Sequence, residues 1–180
     1  MASKTVERAF EAVDQSRFNF LDQNTLEIQN AFIFWTNFRG EANKFGNNAR
    51  TFNVAVNQEV AEVLEKNGWR VRPVPANDEG DMLYFINVKV NMISAYPPVI
   101  SLFSEFKKKK SKRTLTIENI GDLDRVDIQS ADCVINAYAS PMYQGKVTGY
   151  LKKLNVIQEP DIEFGGKYDD WLDDDGEPQA

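Results

Sequence analysis

The 180-residue chain has no histidine and a single cysteine, Cys133. Without histidine there is no ordinary general base near neutral pH, no Ser-His or Cys-His nucleophile pair, and none of the commonest zinc ligand. One cysteine excludes an internal disulfide. Its apolar context, ADCVINAY, marks it as a core residue and a reducing, cytoplasmic setting is expected. No apolar run approaches the ~20 residues that span a bilayer, so no membrane partner is expected. The start, MASKTVERAFEAVDQ, lacks the apolar stretch of a signal peptide. Neither a Walker-type phosphate loop nor a GxGxxG motif is present. The close acidic pairs, Asp122/Asp124, Asp124/Asp127 and Asp78/Asp81, read more simply as solvated carboxylates than as a metal site. The expectation is a protein without catalysis, metal or cofactor.

What is present is charge of two signs in two places. Residues 159–180, EPDIEFGGKYDDWLDDDGEPQA, hold nine acidic residues and one lysine, a net of −8. The whole chain carries −6, so residues 1–158, with 20 basic and 18 acidic residues, carry +2. A segment so polar cannot bury enough apolar surface to offset its ordering entropy and is expected to be disordered. Tails of this kind compete with polyanions for a basic surface or recruit proteins. A plain solubility tail would not need Tyr168, Trp171 and Leu172. With Asp173, Asp174 and Asp175 they are the expected partner-binding residues.

Periodicity divides the rest. Val6, Ala9, Phe10 and Val13 recur at helical spacing, so residues 1–25 read as a helical extension and connector. Residues 26–40 read as one long strand, with Phe34 and Phe38 on one parity and Trp35 on the other. A Gly/Asn-rich loop leads to a second strand, RTFNVAVN. QEVAEVLEKNG is the clearest helix, with Gly68 as its stop. In LYFINVKVNM, Tyr84, Ile86, Val88, Val90 and Met92 suit a core. Phe85, Asn87, Lys89 and Asn91 suit an exposed face. KKKKSKR, residues 107–113, reads as a basic loop, and two more strands, 127–138 and 146–158, close the domain. There is no βαβ alternation. The expected class is mainly β: a five-stranded antiparallel barrel of OB type over residues 26–158, with elaborations and one or two short helices. A β-sandwich fits the same pattern.

Single-strand binding needs cations that track phosphates and flat side chains that stack on bases. Both occur interleaved. Trp35, Phe38, Arg39, Lys44, Phe45, Arg50 and Phe52 cluster in the first hairpin, and Phe85 with Lys89 in the middle strand. Tyr138, Tyr143, Lys146, Tyr150, Lys152 and Lys153 cluster in the last hairpin. Lys107, Lys108, Lys109, Lys110, Lys112 and Arg113 supply a separate block of charge. Phe38 and Phe52 suit a core better than a binding face. Trp35 suits either the second face or a contact with another element. Lys152 and Lys153 suit a solvated surface.

FWTNFRGEANKFGNNARTFNVAV and LEKNGWRVRPV, followed by PPVI, LDRVDIQSADCVINAY and GYLKKLNVIQEPDIEF, resemble in order the single-stranded DNA-binding proteins of tailed bacteriophages. The resemblance spans roughly residues 30–164. It departs from the family's usual pattern at KFGNNAR in the first loop. It implies an OB fold, sequence-tolerant binding of single-stranded DNA in replication and recombination, and an acidic C-terminus that serves replication proteins. A homodimer is left open. The competing readings are a scaffold protein whose tail docks a basic partner without nucleic acid and, third, a metal-dependent nuclease.

Overall fold

A computed structural model describes residues 3–42, 46, 48–142 and 144–160. Helix α1, Lys4–Ala12, starts where the Ser3 hydroxyl accepts the Val6 N–H at 3.2 Å. A 3₁₀ turn, Val13–Gln15, leads into a hairpin of β1, Arg17–Asp22, and β2, Thr25–Ala31. Then follow β3, Ile33–Asn37; β4, Thr51–Val56; helix α2, Gln58–Lys66; and β5, Val71–Pro75. Next come β6, Met82–Lys89; β7, Val99–Phe106; and β8, Lys109–Leu115. A 3₁₀ turn, Ile120–Arg125, precedes the two longest strands, β9, Ile128–Ala139, and β10, Val147–Gln158. No helix among the described residues is long and apolar enough to cross a membrane.

The protein is mainly β, as expected from its pattern. The long strand read over 26–40 is present but broken at Phe32 into β2 and β3. Taken as one bent strand, they close a ring of five. β3 pairs with β4, β4 with β6, β6 with β10, β10 with β9, and β9 with β2. Every pairing is antiparallel except β6–β10. A ring with an odd number of strands cannot alternate direction throughout, so one parallel pair is a necessity of closure. Outside the ring, β7 also runs parallel to β10.

Inside the ring, Leu26, Ile28, Phe38, Phe52, Val54, Ile86, Val88, Ile135 and Leu154 are buried. The rings of Phe38 and Phe52 stack with centroids 5.4 Å apart. Asn57 caps α2 by accepting the Val60 N–H at 2.8 Å, and Ala61 and Leu64 are its buried residues. After α2, Gly68 sits at φ +87°, where a Cβ would lie 2.6 Å from the Gly145 carbonyl oxygen. That close approach seats Trp69, which is buried, over Gly149.

Three elements differ from the periodic reading. β1 occupies part of the expected connector; it is an edge strand with mostly exposed side chains, so burial leaves no alternation to read. The KKKKSKR segment is largely strand, not loop. Its pairing with β7 decides the conformation of a segment with no apolar face of its own. α1 and the 3₁₀ turn after it lay Val6, Ala9 and Val13 on the outside of the barrel, against Phe34, Ala55, Leu83 and Phe85. This second, smaller core lies on the opposite side of the sheet from the first.

Candidate nucleic-acid interface

The outer surface of β3, β4 and β6 is divided into two halves. In β6, Ile86 and Val88 point into the barrel, so Leu83, Phe85, Asn87 and Lys89 point out. Cross-strand register sets Ala55 beside Phe85, Asn53 beside Asn87 and Thr51 beside Lys89. α1 covers the half built from Leu83, Phe85 and Ala55. The other half carries Thr51, Asn53, Asn87 and Lys89. There the Asn87 amide donates to Asn53 Oδ1 at 3.2 Å, and the Asn53 amide donates to the Trp35 carbonyl at 3.3 Å. On the far side Lys89 pairs with Tyr150 of β10. Trp35 and Tyr150 therefore flank one polar row, separated by three strand spacings, roughly 14 Å.

Trp35 reaches this row by an irregularity. β3 loses register between Phe34 and Asn37, and Trp35 takes φ +47°, a costly conformation for a tryptophan. Regular alternation would send Phe34 and Trp35 to opposite faces. Instead the Trp35 ring meets Phe34 edge-on at 4.9 Å and Phe85 at 5.6 Å, and it remains 49% exposed. Asp124 holds the residues just beyond. Its carboxylate accepts the Thr36 hydroxyl at 2.7 Å and the Phe38 and Arg39 N–H groups, each at 2.9 Å. Asp124 is thus a positioning residue. Its sequence context, a solvated acidic pair, concealed that role.

Two expected binders are corrected. Phe38 is fully buried against Phe52 and belongs to the barrel core. Phe85 is 8% exposed, because α1 covers it; it supports Trp35 from beneath. Arg39 lies at the surface, where its guanidinium bonds Glu41 at 2.8 Å. Arg50 is half-buried, and its Nε is enclosed without a hydrogen-bond partner among the described residues. Lys89, Lys146, Lys152 and Lys153 are exposed. Tyr138, 56% exposed, meets Tyr150 edge-on at 5.6 Å. Lys44, Phe45 and Tyr143 lie outside the described residues, as do Tyr168, Trp171, Leu172, Asp173, Asp174 and Asp175 of the tail.

The basic block stands apart. β7 pairs with β10 as far as Ile157↔Phe103, then continues with β8 as a projecting hairpin. Tyr150 and Ile157 are seven residues apart on β10, roughly 23 Å. Lys107, Lys108, Lys109, Lys110, Lys112 and Arg113 are therefore remote from the Trp35 row. Lys112 lies 5.8 Å over the Phe103 ring, and Arg113 bonds Asp122 at 3.3 Å. At the tip, Lys107 and Lys108 both take positive φ, +51° and +67°.

Arg70 and Arg72 are additions from the fold. Arg72 pairs with Phe85, and both arginines line a groove with Asn87, Lys89 and Thr148. Their signal was the Arg-Val-Arg alternation after Trp69, which sends both to one side of the extended chain that enters β5.

No curated protein matches the sequence. Among solved structures, the single-stranded DNA-binding protein from bacteriophage Enc34, as a C-terminal truncation, aligns at TM-score 0.46 with 6% identity. That alignment covers 77% of this chain and 87% of the other. The same Enc34 protein in complex with ssDNA aligns at TM-score 0.47 with 7% identity, over 77% and 88% of the two chains. The family model for the phage ssDNA-binding domain matches residues 15–171, most of the length, and the chain belongs to that family.

Proposed function

We propose that the protein coats single-stranded DNA without sequence preference during phage replication and recombination, as a non-enzymatic binder in the host cytoplasm. The observation that carries this reading is Trp35. A half-exposed indole is held at positive φ on the outer barrel face, at one end of a polar row that ends in Lys89 and Tyr150. An aromatic ring stacks on any base, and Lys89, Arg70 and Arg72 supply charge along the path. The phosphate chain crosses the row from Trp35 toward Tyr150. The acidic segment 159–180 competes with DNA for basic surface and recruits replication proteins.

The test is a titration of single-stranded DNA, single-stranded RNA and duplex across a salt series, with the full chain and with a chain ending at residue 160. The reading expects tight oligo-dT binding that weakens with salt. It also expects a gain on truncation that is largest at low salt and largest for duplex, which binds by charge alone. No oligo-dT binding at low salt overturns the function. Equal affinity of the two chains at low salt overturns the role of the tail.

A further inference from the structure

Tyr96 has no part in the site described above. Tyr96 is 93% exposed on the β6–β7 connector, with almost none of its ring covered by the protein. A single exposed tyrosine is ordinary. Tyr96, however, lines a groove of about 620 Å³ together with Tyr138 and Tyr150, and with Asn136, Thr148 and Lys152. Three tyrosines and a lysine around one open groove combine flat apolar surface with a cation.

The groove continues the row already described. Tyr150 pairs with Lys89, so the groove begins where the Trp35 row ends. Its floor is fixed: Tyr138 and Tyr150 hold each other edge-on at 5.6 Å, and Thr25 anchors Asn136 by donating to its Oδ1 at 3.0 Å. Its outer wall is fixed at both ends. The connector leaves β6 where the Val90 N–H donates to the Arg50 carbonyl at 2.9 Å. It enters β7 through buried Pro98 and the Val99↔Lys153 pair. Pro97 restricts the backbone of Tyr96 to extended conformations. Such a residue loses little freedom when a ligand orders it.

We propose that this groove is a second base-binding station, in which Tyr96, Tyr138 and Tyr150 enclose an unpaired nucleobase of the strand that crosses the Trp35 row. The inference rests on the single-strand-binding reading and adds a site to it. Lys152 faces the adjoining phosphate. A base held in a duplex cannot enter without unpairing, so the station favours single strands.

The experiment uses the full-length protein and two fluorescent oligonucleotides of equal length, oligo-dT and an abasic strand with the same phosphates. Anisotropy is read at one fixed salt concentration. The parent is expected to bind oligo-dT more tightly than the abasic strand. Y96A is expected to lose roughly tenfold on oligo-dT, within the range for one base–aromatic stack, and nothing on the abasic strand. Y96F keeps the ring and is expected to bind like the parent. Tyr96 is almost wholly exposed, so the three proteins should melt together. A Y96A protein that binds oligo-dT like the parent, or weakens on both strands equally, overturns the station and leaves single-strand binding intact. A parent that binds neither strand overturns both.

Discussion

The indole of Trp35 stands perpendicular to the Phe85 ring, with centroids 5.6 Å apart and planes at 90°. Phe85 in turn meets Phe34 at 5.4 Å, and both belong to the small core under α1. The exposed aromatic thus rests on buried ones. α1 stabilises the platform without occupying it, and packing under Trp35 offsets the cost of its backbone conformation.

Replacing Trp35 separates binding from stability. In a chain ending at residue 160, so that Trp171 is absent, single-stranded DNA should quench tryptophan fluorescence. Trp35→Phe should lose most of that quench, and Trp35→Ala should weaken binding by about 1–3 kcal/mol if one base stacks there. Trp69→Phe should lower the urea midpoint and leave the quench nearly intact, because Trp69 is buried over Gly149. An undiminished quench in Trp35→Phe moves the stacking site to Tyr138 and Tyr150.

Asp124→Ala should destabilise the protein by about 3 kcal/mol. Three hydrogen bonds to one carboxylate are lost, and the freed N–H groups regain only part of that from water. The Trp35 quench should shrink with it. Asp124→Asn keeps an acceptor oxygen and should fall between. A urea midpoint for Asp124→Ala equal to the parent's would show that the clamp contributes nothing.

At the tip of the β7–β8 hairpin, Lys107 and Lys108 occupy a two-residue turn at positive φ, where Asn-Gly is the favoured pair. Changing both to Asn-Gly should raise stability by about 1 kcal/mol. If both lysines meet phosphates of a single strand, the slope of log affinity against log salt should fall by roughly 0.7 for each. A more stable protein with an unchanged slope would place the hairpin away from the bound strand.

Gly149→Ala should cost roughly 1–3 kcal/mol through overpacking. Its new Cβ would lie 2.9 Å from Trp69 Cζ3 and 3.1 Å from Ile135 Cγ2, both on buried residues. Urea denaturation reads the effect directly. No loss would mean that the Trp69 ring can shift aside.

Burial, with a smaller contribution from the Asp132 charge, pushes the Cys133 thiol from its ordinary 9.0 up to about 12. At pH 8 the folded protein should therefore resist a thiol reagent that unfolded protein consumes quickly. The raised value also gives a sign for stability. The folded state holds the proton more tightly, so this contribution is complete below pH 9 and is lost as pH rises through 12. Rapid labelling of the native protein would show that β9 opens readily.

Local chemistry alone determined much of this protein. The Asn57 cap, the stripe of Ala61 and Leu64, and the stop at Gly68 specify α2 within twelve residues. The alternation of β6 specifies that Ile86 and Val88 face a core, because side chains on a strand have a period of two. Composition specifies an acidic end on a mildly basic body, and the interleaving of rings and cations along several strands. Which rings meet water was decided only by the tertiary structure. Alternation assigns Phe85 to the outer face but says nothing of what lies on that face, and α1, far back in the sequence, covers it. Alternation also misplaces Trp35, since its position depends on a positive φ beside residues held by Asp124, 88 residues from Thr36. Likewise, Tyr96 reads as a loop residue beside two prolines. It gains a candidate role only because ring closure brings β10 and β9, with Tyr150 and Tyr138, to the end of β6. A periodic pattern records the direction of a side chain relative to its own backbone. Whether that direction ends in solvent, under a helix or beside another ring is a property of contacts between segments distant in sequence.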